Sequence, residues 1–218
     1  MAADKKAQYI LLMRHAKPEL PFGGKIYYGS TDYPLSESGC ACAASLRGAL
    51  AGLELEAVYS SDLERARRTA ELALPKYADK VTIVPGLREI HLGEWEGKTF
   101  DEVRSSWKEI YEARGASFDS VSPPGGESFK ELQQRTVPAF EKILEQSDGG
   151  NILIVAHGGV IWTLMCRYFD FELNNLFFHS MDYCGIHVLK RIEIKKANSE
   201  ESEKLLCLSK YNWSADVI

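Results

Sequence analysis

The chain has 218 residues, 45% of them hydrophobic and 26% charged, which suffices for one well-buried core and is short for two, so a single domain over 1–218 is expected. A net charge of −5 argues against nucleic acid or an anionic membrane surface as partner, while a small positive pocket can still sit on an acidic surface. Residues 1–6 lead straight into a short apolar run, and no stretch of eighteen apolar residues follows, so a cytoplasmic location without a membrane partner is expected.

In chain order, the first element is a strand over about 8–14, where the apolar run Tyr9-Ile10-Leu11-Leu12-Met13 ends in Arg14-His15. A strand that delivers a cation and an imidazole together at its C-terminal end, where α/β proteins place ligands, marks a site for an anion. Ser36 can cap a helix through about Leu50, with Gly39, Ala41, Ala43 and Ala44 allowing close packing. A strand near 56–60 follows, and Ser61 or Asp62 opens the next helix, which runs until Pro75 and carries Arg65, Arg67 and Arg68. A third strand near 81–84 precedes Leu87-Arg88-Glu89.

Residues 98–126, with Trp107, Tyr111 and Phe118 followed by Ser122-Pro123-Pro124-Gly125-Gly126, fit the alternation poorly and read as an excursion capping the site. A long helix is expected over about 127–146, with Phe129, Leu132, Val137, Phe140, Ile143 and Leu144 at helical spacing and Gly149-Gly150 as its stop. The fourth strand, 151–156, ends in His157-Gly158-Gly159 and a further apolar helix, repeating the design of the first. Two last strands, near 183–190 and 204–211, read as a hairpin joined by a polar stretch, in which the charged run 200–204 is a solvated turn. Strands alternating with helices, the first and fourth strands being continuously apolar, predict a three-layer α/β/α sandwich on a mostly parallel sheet with an antiparallel edge.

Five cysteines at 40, 42, 166, 184 and 207 form no CxxC pair, so buried free thiols are expected rather than disulfides or a zinc site. Gly93-Glu94-Trp95-Glu96-Gly97-Lys98-Thr99 mimics a phosphate-binding nucleotide loop, but has three residues between its glycines instead of four and two glutamates that repel phosphate. The sheet edge that should carry Arg14, His15 and His157 is also within reach of Arg65, whose guanidinium suits phosphate oxygens. Glu89 can supply a carboxyl group at the same edge; Glu94, Glu96 and His91 compete for that place.

Arg14-His15-Ala16, Ser60-Ser61-Asp62-Leu63-Glu64-Arg65-Ala66-Arg67-Arg68-Thr69-Ala70, Leu87-Arg88-Glu89, Gly125-Gly126-Glu127-Ser128 and His157-Gly158-Gly159, in that order over nearly the whole chain, together resemble the histidine phosphatase superfamily, phosphoglycerate-mutase-like branch. The stretch 28–39 is similar to the same branch, especially to α-ribazole phosphatases and related small-molecule phosphatases. The resemblance implies a phosphoglycerate-mutase-like fold and a metal-independent phosphomonoester hydrolase, acting through a phosphohistidine on a small phosphorylated metabolite such as α-ribazole 5'-phosphate. It further implies that His15 is the nucleophile, Glu89 the proton donor, and Arg14, Arg65, His157 and Gly158 the phosphoryl-binding groups, with no metal and no cofactor.

Two departures stand out: Ala16 replaces the family's usual glycine, and Pro18 and Pro21 stand where threonine and asparagine are frequent. Tyr28, the Gly29 backbone or Lys17 are candidate replacements for a phosphate contact. Two other readings are a cofactor-dependent phosphoglycerate mutase, disfavoured by the short interval of 68 positions from Glu89 to His157, and a non-catalytic phospho-ligand binder, which would not require both His15 and Glu89. Substrate choice is expected in 98–126 and 17–28, with Trp95, Trp107, Phe22 and Tyr28 as candidate stacking surfaces for a nucleoside-like leaving group. The sequence assigns no oligomeric state.

Overall fold

The alternation of apolar side chains along the four short strands is resolved by burying both faces of one sheet, seen in a computed structural model that describes residues 7–178, 181–195 and 202–213. The strands β1 (Gln8–Arg14), β2 (Leu55–Ser60), β3 (Val81–Ile83), β4 (Asn151–Ala156), β5 (Ile186–Lys195) and β6 (Ser202–Trp213) lie in the order β3-β2-β4-β1-β5-β6. The first four in that order are parallel, β5 runs antiparallel to β1, and β6 antiparallel to β5. Ile10, Leu12, Ile152 and Ile154 point to one face, against Phe129, Leu132, Phe140 and Ile143. Leu11, Met13, Leu153 and Val155 point to the other, against Ala43, Leu46, Ala66 and Ala70. This is the expected three-layer arrangement.

Helices α1 (Glu37–Leu50) and α2 (Glu64–Ala73) cover the second face, and α5 (Phe129–Gln146) and α6 (Gly158–Phe169) the first. Ser36 caps α1 as its sequence predicts, its hydroxyl accepting from Gly39 N at 3.0 Å. Ser128 and Glu131 form a reciprocal capping box at the start of α5, one residue beyond the expected beginning. Of the apolar stripe of α5, Phe129, Leu132, Phe140, Ile143 and Leu144 are buried and Val137 is half-buried, each fully buried side chain contributing about 1.5–3 kcal/mol. Ala41, by contrast, is exposed and packs nothing closely.

Helix α2 corrects an expectation. Neither Ser61 nor Asp62 caps it: the residue at its start is Leu63, and the carboxylate of Asp32, distant in sequence, accepts from Glu64 N and Arg65 N instead. Ser61 and Asp62 are drawn off by stronger partners, His157 and Arg88. Arg65 is therefore the second helical residue, placed in the positive end of the helix rather than a turn inside it.

Residues 98–126 are not irregular. Thr99 and Glu102 form a capping box for α3 (Phe100–Ser106), α4 (Lys108–Ala116) follows, and Trp107, Tyr111 and Phe118 pack against the α5/α6 core. The final strands are longer than expected, but β5 begins at Ile186 instead of 183. The preceding residues form a turn in which Cys184 takes φ 62° and Gly185 N donates to Asp182 O. The lead-in 1–6 and most of the expected polar turn, 196–201, lie outside the described residues. Among the described residues, no helix is long and apolar enough to cross a membrane.

Candidate active site

The C-terminal ends of β1, β2 and β4 are knit together by backbone bonds that continue past the strands. His15 N donates to Ala156 O at 2.9 Å, Ser61 N to Val155 O at 3.2 Å, and Cys184 N to Arg14 O at 3.1 Å. These bonds bring Arg14, His15, Ser61 and His157 to one edge of the sheet, as the register Arg14↔Ala156 requires. His15 is 2% exposed and its ring centroid lies 5.0 Å from that of His157, which is fully buried.

The hydrogen bonds settle how each imidazole presents itself. His15 Nδ1 lies 2.7 Å from Ala16 O. A carbonyl only accepts, so Nδ1 holds the proton and Nε2 keeps a lone pair. Burial, then the positive charges of Arg65 and Arg14, hold the His15 imidazole well below its usual 6.5, with the Ala16 carbonyl opposing weakly, so the ring is neutral. His157 is pushed down in the same sense, by burial first and then by His15, Arg65, Arg14 and Arg135. Its Nε2 is 2.7 Å from Ser61 Oγ, which itself receives Leu63 N at 3.4 Å. In the tautomer where the hydroxyl donates to Nε2, the His157 proton sits on Nδ1, and this is the tautomer that can give an N–H to an anion there.

Arg65 is fully buried, unlike its exposed neighbours Arg67 and Arg68, which pair with Glu71. Its Nη1 donates to Thr31 O at 2.8 Å and to Asp32 Oδ1 at 3.2 Å, and its Nη2 to Gly29 O at 2.5 Å. The fork expected to clasp an anion is thus largely spent on the 29–32 loop. Arg14 donates through Nη1 to Met181 O, and its guanidinium lies over Tyr183, 4.1 Å from the ring centre.

What remains free is specific. Among the described residues, Arg14 Nε, Arg65 Nε and His157 Nδ1 are buried side-chain nitrogens without a partner; the other such atom, Trp95 Nε1, belongs to the core under α4. Three N–H groups around one neutral imidazole, two of them on cations, form a receptor for a tetrahedral oxyanion. Gly158 opens α6 beside them: a Cβ built there would lie 3.6 Å from Arg14 Nε, at the positive end of the helix.

Glu89 reaches the same edge. Its carboxylate accepts from Gly159 N at 3.1 Å and Ile90 N at 2.9 Å. A Cβ on Gly159 would fall 2.5 Å from Glu89 Oε1, so a glycine is required there for the carboxylate to approach. The competing carboxylates are occupied or turned away. Glu96 accepts from Gly29 N, Ser30 N, Thr31 N and Leu92 N, which tie the 29–32 loop to the 90–96 segment and help hold its carboxyl below the usual range against burial. Glu94 is exposed, and His91 bonds Ser30 Oγ at 2.7 Å.

Of the proposed replacements for the missing family residues, the Gly29 amide is taken by Glu96 and Lys17 is exposed, while Tyr28 pairs its hydroxyl with Tyr183 at 2.6 Å. Ala16 fits without strain, its N–H donating to Thr69 Oγ1 at 2.9 Å. Trp95 is 1% exposed and Trp107 packs on the core, so neither is a stacking surface; Phe22 is 71% exposed at a loop tip. The sequence reading missed three residues. Ser61 and Asp32 sit inside quoted motifs but were read as a cap or passed over, and Tyr183 carries no sequence signal at all.

A family model described as the histidine phosphatase superfamily (branch 1) matches residues 10–199. A metal-independent phosphoserine phosphatase of Arabidopsis thaliana is 35% identical over 167 residues, covering 75% of this chain and 70% of that one. An adenosylcobalamin/alpha-ribazole phosphatase of Escherichia coli (strain K12) is 32% identical over 156 residues, covering 72% and 76%. The crystal structure of the alpha-ribazole phosphatase from Shigella flexneri superposes with a TM-score of 0.80 at 26% identity, covering 94% of this chain and 96% of that one.

Proposed function

Since the chain belongs to branch 1 of the histidine phosphatase superfamily, we propose that it is a phosphoric monoester hydrolase that works through a phosphohistidine at His15, on a small phosphorylated metabolite. The observation that carries this is the set of partnerless N–H groups on Arg14, Arg65 and His157 around a neutral His15 whose Nε2 lone pair is free.

In the proposed reaction the phosphoryl oxygens take those three N–H groups and the Gly158 amide. His15 Nε2 attacks phosphorus in line, an N–P bond forms, the P–O ester bond breaks, and Glu89, entering this step as the carboxylic acid, gives its proton to the departing alkoxide and is left as the carboxylate. A water then attacks the phosphorus of phospho-His15 while Glu89 takes a proton from it, the N–P bond breaks, and phosphate leaves. The charge developing on the equatorial oxygens is met by preorganised donors already buried in a water-poor site, where they act most strongly. The chain itself supplies the positive charge the phosphoryl group needs, through Arg14 and Arg65, so turnover should survive chelation.

Hydrolysis of p-nitrophenyl phosphate in the presence of EDTA tests the proposal. Wild type should turn over, His15→Ala should not, and Glu89→Gln should lose about 10²–10⁴-fold in kcat. Undiminished hydrolysis by His15→Ala, or none by wild type, overturns it. Phosphoserine and α-ribazole 5'-phosphate are the first natural esters to assay, because relatives carry those names.

A further inference from the structure

We propose, resting on the reading of His15 as phosphoryl acceptor, that Tyr183 and Tyr28 form the wall of the site against which the leaving group lies, and that this wall selects uncharged, ring-bearing leaving groups over carboxylate-bearing ones. Tyr183 stands in the turn that receives the end of β1, where Cys184 N binds Arg14 O and Met181 O binds the Arg14 guanidinium. Its ring centre is 5.6 Å from that of His15 and lies under Arg14. Tyr28 stands in the opposite loop with Arg65 5.6 Å from its ring, and the two hydroxyls meet at 2.6 Å. The pair therefore bridges from one phosphoryl-binding arginine to the other across His15.

In-line attack places the leaving group on the far side of phosphorus from His15 Nε2. The rings in contact with His15 are those of His157, whose Nδ1 is spoken for by the phosphoryl group, and Tyr183. A leaving group thus departs along the tyrosines, whose hydroxyl contact must part to admit it. Once parted, the wall offers two phenol faces and two hydroxyls. Among the described residues, it offers no cation beyond the Arg14 and Arg65 Nε groups that the phosphoryl group takes: Arg65 is otherwise held by Asp32 and two carbonyls, Arg14 donates to Met181 O, and Arg88 pairs with Asp62. The Tyr28 phenol stays neutral, burial first and then the closeness of Tyr183 pushing it far above its usual range. A carboxylate placed there would lose water and gain hydroxyl hydrogen bonds but no cation, whereas a sugar or base ring takes the same hydroxyl hydrogen bonds, stacks on the phenol faces and carries no charge to desolvate.

The test compares kcat and KM of the full-length protein for adenosine 5'-monophosphate and ribose 5-phosphate against O-phosphoserine and 3-phosphoglycerate, in wild type, Tyr183→Phe, Tyr183→Leu and Tyr183→Ala. Orthovanadate inhibition reports on the phosphoryl pocket alone. Wild type should favour the ring class by about tenfold or more in kcat/KM, the scale of one stacked ring. Tyr183→Ala and Tyr183→Leu should lose that preference through KM, Tyr183→Phe should keep it, and vanadate inhibition should change far less than the ring-class KM. A wild type that favours the carboxylates, or variants that fall equally on both classes with vanadate weakened in parallel, overturns the wall and leaves Tyr183 as a support for Arg14. If wild type hydrolyses neither class, the reading of His15 fails, and calorimetric binding decides the wall separately. Tighter adenosine monophosphate than phosphoserine binding, lost in Tyr183→Leu, upholds it, and equal binding refutes it.

Discussion

Lowering the pH from 7 to 5.5 should destabilise this protein by an amount set by three histidines. His15, His157 and His187 are all buried, and burial is the first cause that lowers each of them, His187 to about 4. In the unfolded chain each returns to about 6.5. Below that value the unfolded state binds protons that the folded state refuses, so stability is fully present above pH 6.5 and is lost as pH falls towards the folded values. At pH 5.5 His187 costs about 1.3 kcal/mol relative to pH 7, and His15 and His157, lowered in the same direction, add to that loss. The loss is drawn from the roughly 5–15 kcal/mol by which domains are stable. The lowered carboxyls of Asp62, Glu96 and Glu127 titrate below this window. Urea unfolding followed by circular dichroism at pH 7 and 5.5 measures the loss, and His187→Gln should reduce it by about 1 kcal/mol. Equal stability at the two pH values, or an unchanged loss in His187→Gln, would refute the reasoning.

Gly159→Ala should drive a methyl group into the space of Glu89 Oε1, 2.5 Å away, and lower kcat about 100-fold while the protein stays folded, as steady-state kinetics beside a thermal melt will show. Asp32→Ala removes both the carboxylate on buried Arg65 and the cap of α2, the cap alone being worth about 1 kcal/mol; Asp32→Asn should restore the cap but not the charge, so the difference between the urea midpoints of wild type and Asp32→Asn isolates the ion pair. Ser61→Ala leaves His157 Nε2 buried without a partner, at a cost of about 1–3 kcal/mol, and frees the ring to move its proton from Nδ1 to Nε2, which nitrogen NMR of labelled histidine reports directly.

The strands and the helices α1, α5 and α6 were legible because their signals are local: short continuous apolar runs, a serine cap, a stripe at helical spacing. Arg14, His15, Glu89 and His157 were legible for a related reason, since each follows a strand and the parallel topology sends those ends to one edge. Long-range substitution of a local role was not legible. Ser61 looks like a helix cap until His157, nearly a hundred residues on, claims its hydroxyl, and Asp32 then caps α2 from another loop. The helices over 100–116 were hidden because their aromatic residues serve the core rather than a continuous amphipathic stripe. Tyr183 was hidden because a left-handed residue, Cys184, turns the chain just where the apolar pattern suggested that the strand had begun.

β1 carries His15 at the centre of the sheet, yet both of its partners, β4 and β5, are encoded far later: Arg14 pairs with Ala156, 142 residues on. At about 5–20 residues per second of synthesis, this apolar strand and its histidine wait for roughly ten seconds or more before a neighbouring strand emerges. A nascent chain therefore exposes an unpaired, sheet-forming segment for most of its translation, and folding must close a very long loop before the site exists. Slow folding that a chaperone speeds is the expected consequence of placing His15 so early in the chain.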